Sequence, residues 1–270
     1  MKLSFYWVDA FAAKVFAGNP AGVVPLESWP DDSLMQRIAF ENGLSETAFF
    51  VKMAEAHFHL RWFTPAVEVD LCGHATLASA FVVFTQLGAV GNVLTFDSRS
   101  GPLRVTRCAD GRMELDFPSE PAEPVGPAED LARALGCIPT VFLRSRTRWL
   151  CVYPSAANII ALQPDHGRLR RILPGRITIT APGDDCDFVS RTFVPAVGIP
   201  EDPVTGSAHC TLTPYWAGRL GKTQLHARQV SARGGELWCE LAPATGSGRE
   251  GDRVKIAGHA TLYLHGEIEI

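Results

Sequence analysis

The sequence predicts an α+β fold built from two similar halves, and three observations carry that expectation. The first is an internal echo. Gly73-His74-Ala75-Thr76 and Gly206-Ser207-Ala208-His209 both read Gly, polar, Ala, polar, each preceded by acidic residues and followed by an apolar run, and they stand 133 residues apart in a chain of 270. A repeat at half the chain length points to two similarly built units. The second is the order of elements, which runs strand, helix, strands, polar junction, helix in the first half and again in the second. The third is the alternating apolar pattern of most extended segments, separated by Gly- and Pro-containing turns, which favours largely antiparallel sheet.

The first strand is expected over Leu3 to Ala10, followed by a turn at Ala17 to Gly22 ahead of the apolar Val23-Val24 pair. Asp31 and Asp32 stand where a helix N-cap belongs, before Leu34, Met35, Ile38 and Ala39 at helical spacing, and Asn42-Gly43 is a C-terminal stop. Leu44 to Val51 is strand-like and contains a single carboxylate, Glu46, among apolar neighbours. The residues alone leave two readings of Glu46 open. It points to solvent or accepts local hydrogen bonds, or it is buried, where loss of solvation would raise its pKa as proton transfer at neutral pH requires.

His57 and His59 share one face of the strand His57 to Phe63, but no carboxylate or thiol nearby in the sequence completes a ligand set, so no metal is expected there. From Phe63 to Phe84 a short extended run gives way to Cys72-Gly73-His74-Ala75-Thr76 and an apolar helix. A helix start of this kind offers unpaired N–H donors, with Gly73 permitting close backbone approach, and suits an anionic small molecule. The same argument applies at Gly206, and a ligand shared by two such halves would sit in a cleft between them. Three further strands are expected at Val93 to Phe96, Leu103 to Cys108 and Met113 to Phe117.

Ser119 to Pro127, rich in Pro and Glu, reads as a linker, which divides the chain into 1–118 and 119–257, with 258–270 available to complete the first half. Beyond it the pattern predicts a helix over Glu129 to Leu135, a strand over Arg148 to Tyr153 and a helix over Asp165 to Leu173 stopped by Pro174-Gly175. Strands over Ile177 to Thr180 and Asp187 to Pro195 follow, then the junction at Glu201-Asp202. Gln229 to Leu241 and Arg253 to Leu264 supply closing strands around a turn at Gly246 to Gly251. The arginine-rich pieces at Arg144 to Arg148 and Arg168 to Arg176 read as solvated faces.

With 46% hydrophobic and 20% charged residues and a net charge of −4, the chain is expected to be soluble, without a general pull towards nucleic acid or anionic membrane. Seven scattered cysteines with no CxxC pair, no signal-peptide core and no membrane-length apolar run give a cytoplasmic, unanchored expectation.

The segments LSETAF, FTPAVEVDLCGHATLA, DFVSRTFVP, GIPEDPVTGSAHC and QVSARGG occur in that order, and through them the whole chain resembles the phenazine-biosynthesis PhzF-like isomerases. The resemblance implies a diaminopimelate epimerase-like fold, in which two pseudo-symmetric halves each wrap a curved, mostly antiparallel, barrel-like sheet around a central helix. It implies a cofactor-independent isomerase of a family whose members are often homodimeric, the founding activity being proton transfer on a dihydro-hydroxyanthranilate. The lack of a thiol or imidazole cluster in the sequence separately predicts no stoichiometric metal. Glu46 matches the family's acid/base, and His74, Asp202 and Ser207 match residues that surround the substrate. Gly73 and Gly206 fall where helix-start amides would receive a substrate carboxylate. Related epimerases use two cysteine bases; here Cys72 precedes Gly73 but Thr205 precedes Gly206, which disfavours a two-thiol mechanism. QVSARGG resembles a broad branch of the family and not the phenazine-pathway enzymes, so the founding substrate is not carried over. The leading expectation is a proton-moving isomerase acting on a small carboxylate. The alternatives are an amino-acid racemase using Glu46 and Asp202 as two bases, or a non-catalytic metabolite-binding or interaction protein.

Overall fold

The computed structural model describes residues 1–172, 175–195, 199–243 and 251–270. The chain forms two compact units, Met1–Asp116 with Ala257–Ile270, and Phe117–Ile256. Pro174 and most of the turn expected at Gly246 to Gly251 lie outside the described residues. Among the described residues no helix is long and apolar enough to cross a membrane.

The first unit contains β1 (Lys2–Ala10), β2 (Asn19–Leu26), α1 (Asp32–Asn42), β3 (Glu46–Ala54), β4 (His57–Phe63), β5 (Glu68–Val69) and α2 (Gly73–Thr85). β6 (Val93–Asp97), β7 (Leu103–Arg107) and β8 (Met113–Pro118) follow, and the C-terminal β18 (Ala260–Glu269) pairs with β1. β1 pairs antiparallel with β2, β2 parallel with β3, β3 antiparallel with β4, and β4 antiparallel with β5 and parallel with β6. β6, β7 and β8 continue antiparallel. The parallel pairs fall where a helix intervenes, because parallel neighbours need a crossover long enough to return the chain.

The second unit contains β9 (Glu123–Pro124), α3 (Glu129–Leu135), β10 (Val141–Arg144), β11 (Arg148–Val152), α4 (Ala156–Ala161), α5 (His166–Ile172), β12 (Arg176–Pro182) and β13 (Phe188–Val194). β14 (Ile199–Asp202), a 3-10 turn at Gly206–Ala208, α6 (His209–Leu220), β15 (Gln224–Gln229) and β16 (Gly235–Ala242) complete its main sheet, and β17 spans Arg253–Gly258. Its pairing repeats that of the first unit. β10 and β11 are antiparallel, β11 and β12 parallel, β12 and β13 antiparallel, β13 and β14 antiparallel, β13 and β15 parallel, and β15 and β16 antiparallel.

Alternation along the strands gives each sheet two apolar faces. In the first unit Phe5, Val24, Phe49 and Phe63 pack against Met35, Ile38 and Ala39 of α1. The opposite face meets α2, which packs on β1, β2 and β3 and is buried nearly all round, from His74 to Ala80 and from Val82 to Phe84. In the second unit Ile177, Ile179, Val189 and Phe193 form a core with residues of α3, α4 and α5, while α6 packs on β15 and β16.

A clamp recurs at the same place in both units. Arg61 of β4 holds Glu68 of β5 through two hydrogen bonds of 2.7 and 2.8 Å. Arg191 of β13 holds Glu201 of β14 through two of 2.8 and 2.9 Å, and its Nη1 also donates to the carbonyls of Ile159 and Leu162. Glu68 and Glu201 are 133 residues apart. Each clamp fixes the short strand that delivers the chain to a polar helix start.

The structure corrects four expectations. The turn assigned to Ala17 to Gly22 lies earlier. Asn19 already pairs with Ala10 and Pro20 with Asp9 in β2, and Gly18 turns the chain at φ +68°, where an added Cβ would fall 2.1 Å from the Ala10 carbonyl oxygen. The Pro-rich Ser119 to Pro127 is not a free linker. Pro214 inside α6 has no N–H for the Cys210 carbonyl, and the Glu120 N–H takes that acceptor at 2.9 Å. Glu120 also receives bonds from Ser145, the Thr147 amide and the Thr147 hydroxyl. Arg148 is no solvated residue; it is fully buried. Lastly, Val230 to Gly234 is a turn between β15 and β16, with Gly234 at φ +65°.

Arg191→Met should remove the Glu201 clamp and leave that carboxylate and two carbonyls without their donor, costing about 3–5 kcal/mol. Urea unfolding monitored by circular dichroism measures this.

Candidate functional site

In the first unit the chemistry collects at the start of α2. Cys72 precedes the helix in extended conformation, and the first intrahelical bond runs from Thr76 N to Cys72 O. Gly73, His74 and Ala75 therefore have no acceptor within the helix; the Ala75 N–H turns to the Cys72 thiol. The Thr76 hydroxyl folds back onto Cys72 O at 2.6 Å, and that of Ser79 onto Ala75 O at 2.8 Å, so both polar side chains are satisfied inside a buried helix.

His74 is buried, and its ring is held from both sides. Nδ1 faces the Asn19 amide at 3.2 Å and the Cys72 sulfur at 3.5 Å, while Nε2 lies 3.2 Å from Glu46 Oε2. The Glu46–His74 contact has ion-pair distance without hydrogen-bond alignment, and both atoms are otherwise without a hydrogen-bond partner among the described residues. Glu46 is the first residue of β3, opposite Ala21 of β2, and its side chain is 15% exposed. Burial opposes protonation of His74, but Cys72 and Glu46 beside it outweigh that and hold its pKa well above 6.5. Burial raises the Cys72 pKa, with the Glu46 carboxylate adding to the rise and His74 opposing it. The apolar setting expected for Glu46 is thus incomplete: a cationic partner stands against it.

Glu46, Cys72 and His74 also form a group with donor atoms within 4.8 Å of one another, a spacing a metal ion could use. The imidazole turns its two nitrogens towards different partners, an arrangement suited to relaying charge along a line. His57 pairs with Asp97 at 2.8 Å and the His59 ring packs edge-on to Trp29, so neither joins this group. A cavity of about 910 Å³ elsewhere in the first unit, lined by Leu3, Leu26, Trp29, Phe50, Phe58 and Val83 among others, contains none of the candidate residues.

In the second unit Asp202, Gly206 and Ser207 cluster at the turn that leads into α6. Thr205 Oγ1 donates to Asp202 Oδ2 at 2.6 Å, and Gln229 bridges the loop, donating to Asp202 O at 2.6 Å and accepting from Thr205 N at 2.8 Å. Ser231 adds a bond to Pro203 O. Ser207 receives Arg148 Nη2 on its carbonyl at 3.0 Å and on its hydroxyl at 3.2 Å. His209 Nδ1 meets Thr205 O at 2.9 Å; burial, opposed by that bond and aided by the Arg148 charge, pushes its pKa down to about 4. It is a neutral imidazole with its proton on Nδ1.

Sequence reasoning missed Asn19, Arg148 and Gln229. Gln229 lay in a segment read as strand, Asn19 in one read as turn and Arg148 in one read as solvated. The one available signal was Asn19 itself, a polar residue between Gly18 and Pro20 directly ahead of an apolar run.

The α+β fold is of the diaminopimelate epimerase-like type. A hydroxyproline epimerase from Agrobacterium vitis, solved with bound trans-4-hydroxy-L-proline, shares it at a TM-score of 0.65 with 11% identity, over 99% of this chain and 92% of that one. The crystal structure of a PhzF-family protein from Enterococcus faecalis superposes at a TM-score of 0.93 with 45% identity and full coverage of both chains. An uncharacterized isomerase of Pseudomonas aeruginosa is 51% identical over 270 residues, the whole of both chains. By fold and by relatives, this is an isomerase. The phenazine biosynthesis-like (PhzC-PhzF) family profile matches residues 8–266, and the chain belongs to that family.

His209 carries a pH prediction. Its folded pKa of about 4 lies below the unfolded value, so between the two the unfolded chain binds the extra proton and stability rises with pH. The wild type should lose about 3 kcal/mol from this group as pH falls from 6.5 to 4. His209→Gln should remove that part of the slope in urea unfolding at each pH. His74, with its folded pKa raised, contributes the opposite slope: its stabilisation is full below pH 6.5 and is lost as pH rises through the folded value.

Proposed function

We propose that the protein is a cofactor-independent isomerase that moves a proton on a small carboxylate-bearing metabolite, with Glu46 as the acid/base. The observation that carries this reading is the 3.2 Å approach of Glu46 Oε2 to His74 Nε2 at a buried helix start. Glu46 takes the proton from a carbon next to the substrate carboxylate or along a conjugated diene, and negative charge spreads onto the substrate. His74, fixed by Asn19 and Cys72 on its far side, and the helix-start amides of Gly73 and His74 stabilise that charge. Glu46 then returns the proton at a second carbon, so the substrate changes isomer and the protein ends as it began.

Asp202, Gly206 and Ser207 are assigned to substrate binding together with Gly73 and His74. Asp202 is favoured as a positioning group over a second base, because Thr205 bonds its Oδ2 and Gln229 its carbonyl, both holding the loop. Thr205 occupies the place a second cysteine base would need, and burial disfavours the Cys72 thiolate. A purely binding role leaves the close Glu46–His74 approach without a use. We further assign a homodimer, as the family resemblance implies; light scattering at micromolar concentration should give twice the chain mass.

A panel of small amino, hydroxy and unsaturated acids, incubated with the protein in deuterated buffer and followed by NMR, should reveal one whose carbon-bound proton exchanges or migrates. With that substrate, Glu46→Gln should fold and bind yet turn over slower by about two to four orders of magnitude. Asp202→Asn should raise KM more than it lowers kcat. Comparable kcat losses in both variants would instead indicate a two-base racemase, and near wild-type turnover in Glu46→Gln would remove Glu46 from the chemistry.

A further inference from the structure

Arg148, the first residue of β11, is fully buried, yet no carboxylate lies within ion-pair distance of it among the described residues. Its acceptors are neutral: the Ser207 carbonyl and hydroxyl on Nη2, and the Thr178 hydroxyl on Nη1 at 3.5 Å. Thr178 in turn shares a hydrogen bond with Thr192, and Arg148 Nε is buried with no hydrogen-bond partner among the described residues. Glu120 and Asp202 act on the guanidinium only through their fields, and Arg176 opposes them. The oxygens of Glu120 are already occupied by Ser145 and Thr147. Burial pushes the Arg148 pKa down to about 10, which still leaves it protonated at neutral pH. A buried cation facing only neutral acceptors is an arrangement that folding alone does not favour.

Its consequence falls on Ser207. A hydroxyl that accepts from a guanidinium keeps its own O–H to donate. The Ser207 carbonyl is pinned by the same nitrogen, so the backbone from Gly206 to Ser207 is fixed where it enters α6. Donor hydroxyl, helix-start amides and a buried positive charge behind them, with no carboxylate at ion-pair distance among the described residues, all select for the same ligand atom, a negatively charged oxygen. We propose that Arg148 is the positioning and charge-selecting residue of the second unit, which holds Ser207 as a donor and makes this turn take a carboxylate in preference to its neutral amide. This rests on the assignment of Ser207 to substrate binding.

The test uses the full-length, isotopically labelled protein and follows the Gly206, Ser207 and Ala208 amides by NMR at constant ionic strength. Acetate, benzoate and succinate are titrated against acetamide, benzamide and succinamide. In the wild type at least one carboxylate should shift these amides and bind about tenfold or more tighter than its amide, the scale of a hydrogen bond to a charged group. Arg148→Met, checked for fold by circular dichroism, should bring the two affinities together. Arg148→Lys keeps the charge but loses the double hold on Ser207, and should keep the preference with weaker binding; it serves also if the methionine variant does not fold. Glu46→Gln should leave the preference unchanged, so the inference can hold even where the proton-transfer reading fails. The inference is overturned if no carboxylate in the panel shifts these amides, or if the wild type does not prefer acid over amide. It is equally overturned if either Arg148 variant binds as the wild type does, or if Glu46→Gln abolishes the preference.

Discussion

A carboxylate and an imidazole held 3.2 Å apart at the mouth of a buried helix are the constraint on which the first unit depends. Burying either polar group alone would be costly, and each of the two is the other's neighbour at ion-pair distance. The rest of the local structure keeps them in place. Asn19 and Cys72 close off the far nitrogen of His74, Thr76 and Ser79 return their hydroxyls to the α2 backbone, and β3 brings Glu46 in at its first residue. A site assembled in this way has little freedom to relax when a proton moves, which is what preorganised electrostatic stabilisation requires.

The second unit uses the same topology for a different electrostatic arrangement. Where α2 begins with an imidazole of raised pKa beside a carboxylate, the approach to α6 has an imidazole of lowered pKa, His209, and a buried guanidinium. The Arg–Glu clamps at Arg61–Glu68 and Arg191–Glu201 are common to both, as is the alternation of parallel and antiparallel pairs. The repeat therefore preserves what positions a helix start, while the side chains at that start differ, an imidazole beside a carboxylate in one unit and a guanidinium beside a serine in the other.

Much of this was legible in the sequence because it is written in local pattern. The 133-residue echo marks both helix starts, Asn42-Gly43 ends α1 with Gly43 at φ +61°, and Gly136 ends α3 at φ +81°. Glu46 stood out as a lone carboxylate in an apolar strand. What pattern could not show are contacts made across long sequence separations. Arg148 sits in a run, RSRTR, whose composition is that of a surface, and only the placement of β11 beside β12 and under the 3-10 turn buries it. Ser119 to Pro127 has the composition of a linker, and its role appears only when the missing N–H of Pro214 leaves a carbonyl for Glu120 to satisfy. The cationic partner of Glu46 was visible as a residue but not as a contact, since 28 positions separate the two in the chain.

The most direct measurement of the central claim is the protonation state of His74 in the intact protein, read from the nitrogen chemical shifts of its imidazole across a pH titration. The account predicts a titration above that of an ordinary imidazole, moving to lower pH in Glu46→Gln as the facing carboxylate is removed. A His74 that titrates below the ordinary imidazole range in the wild type, or whose titration is indifferent to Glu46, would contradict it.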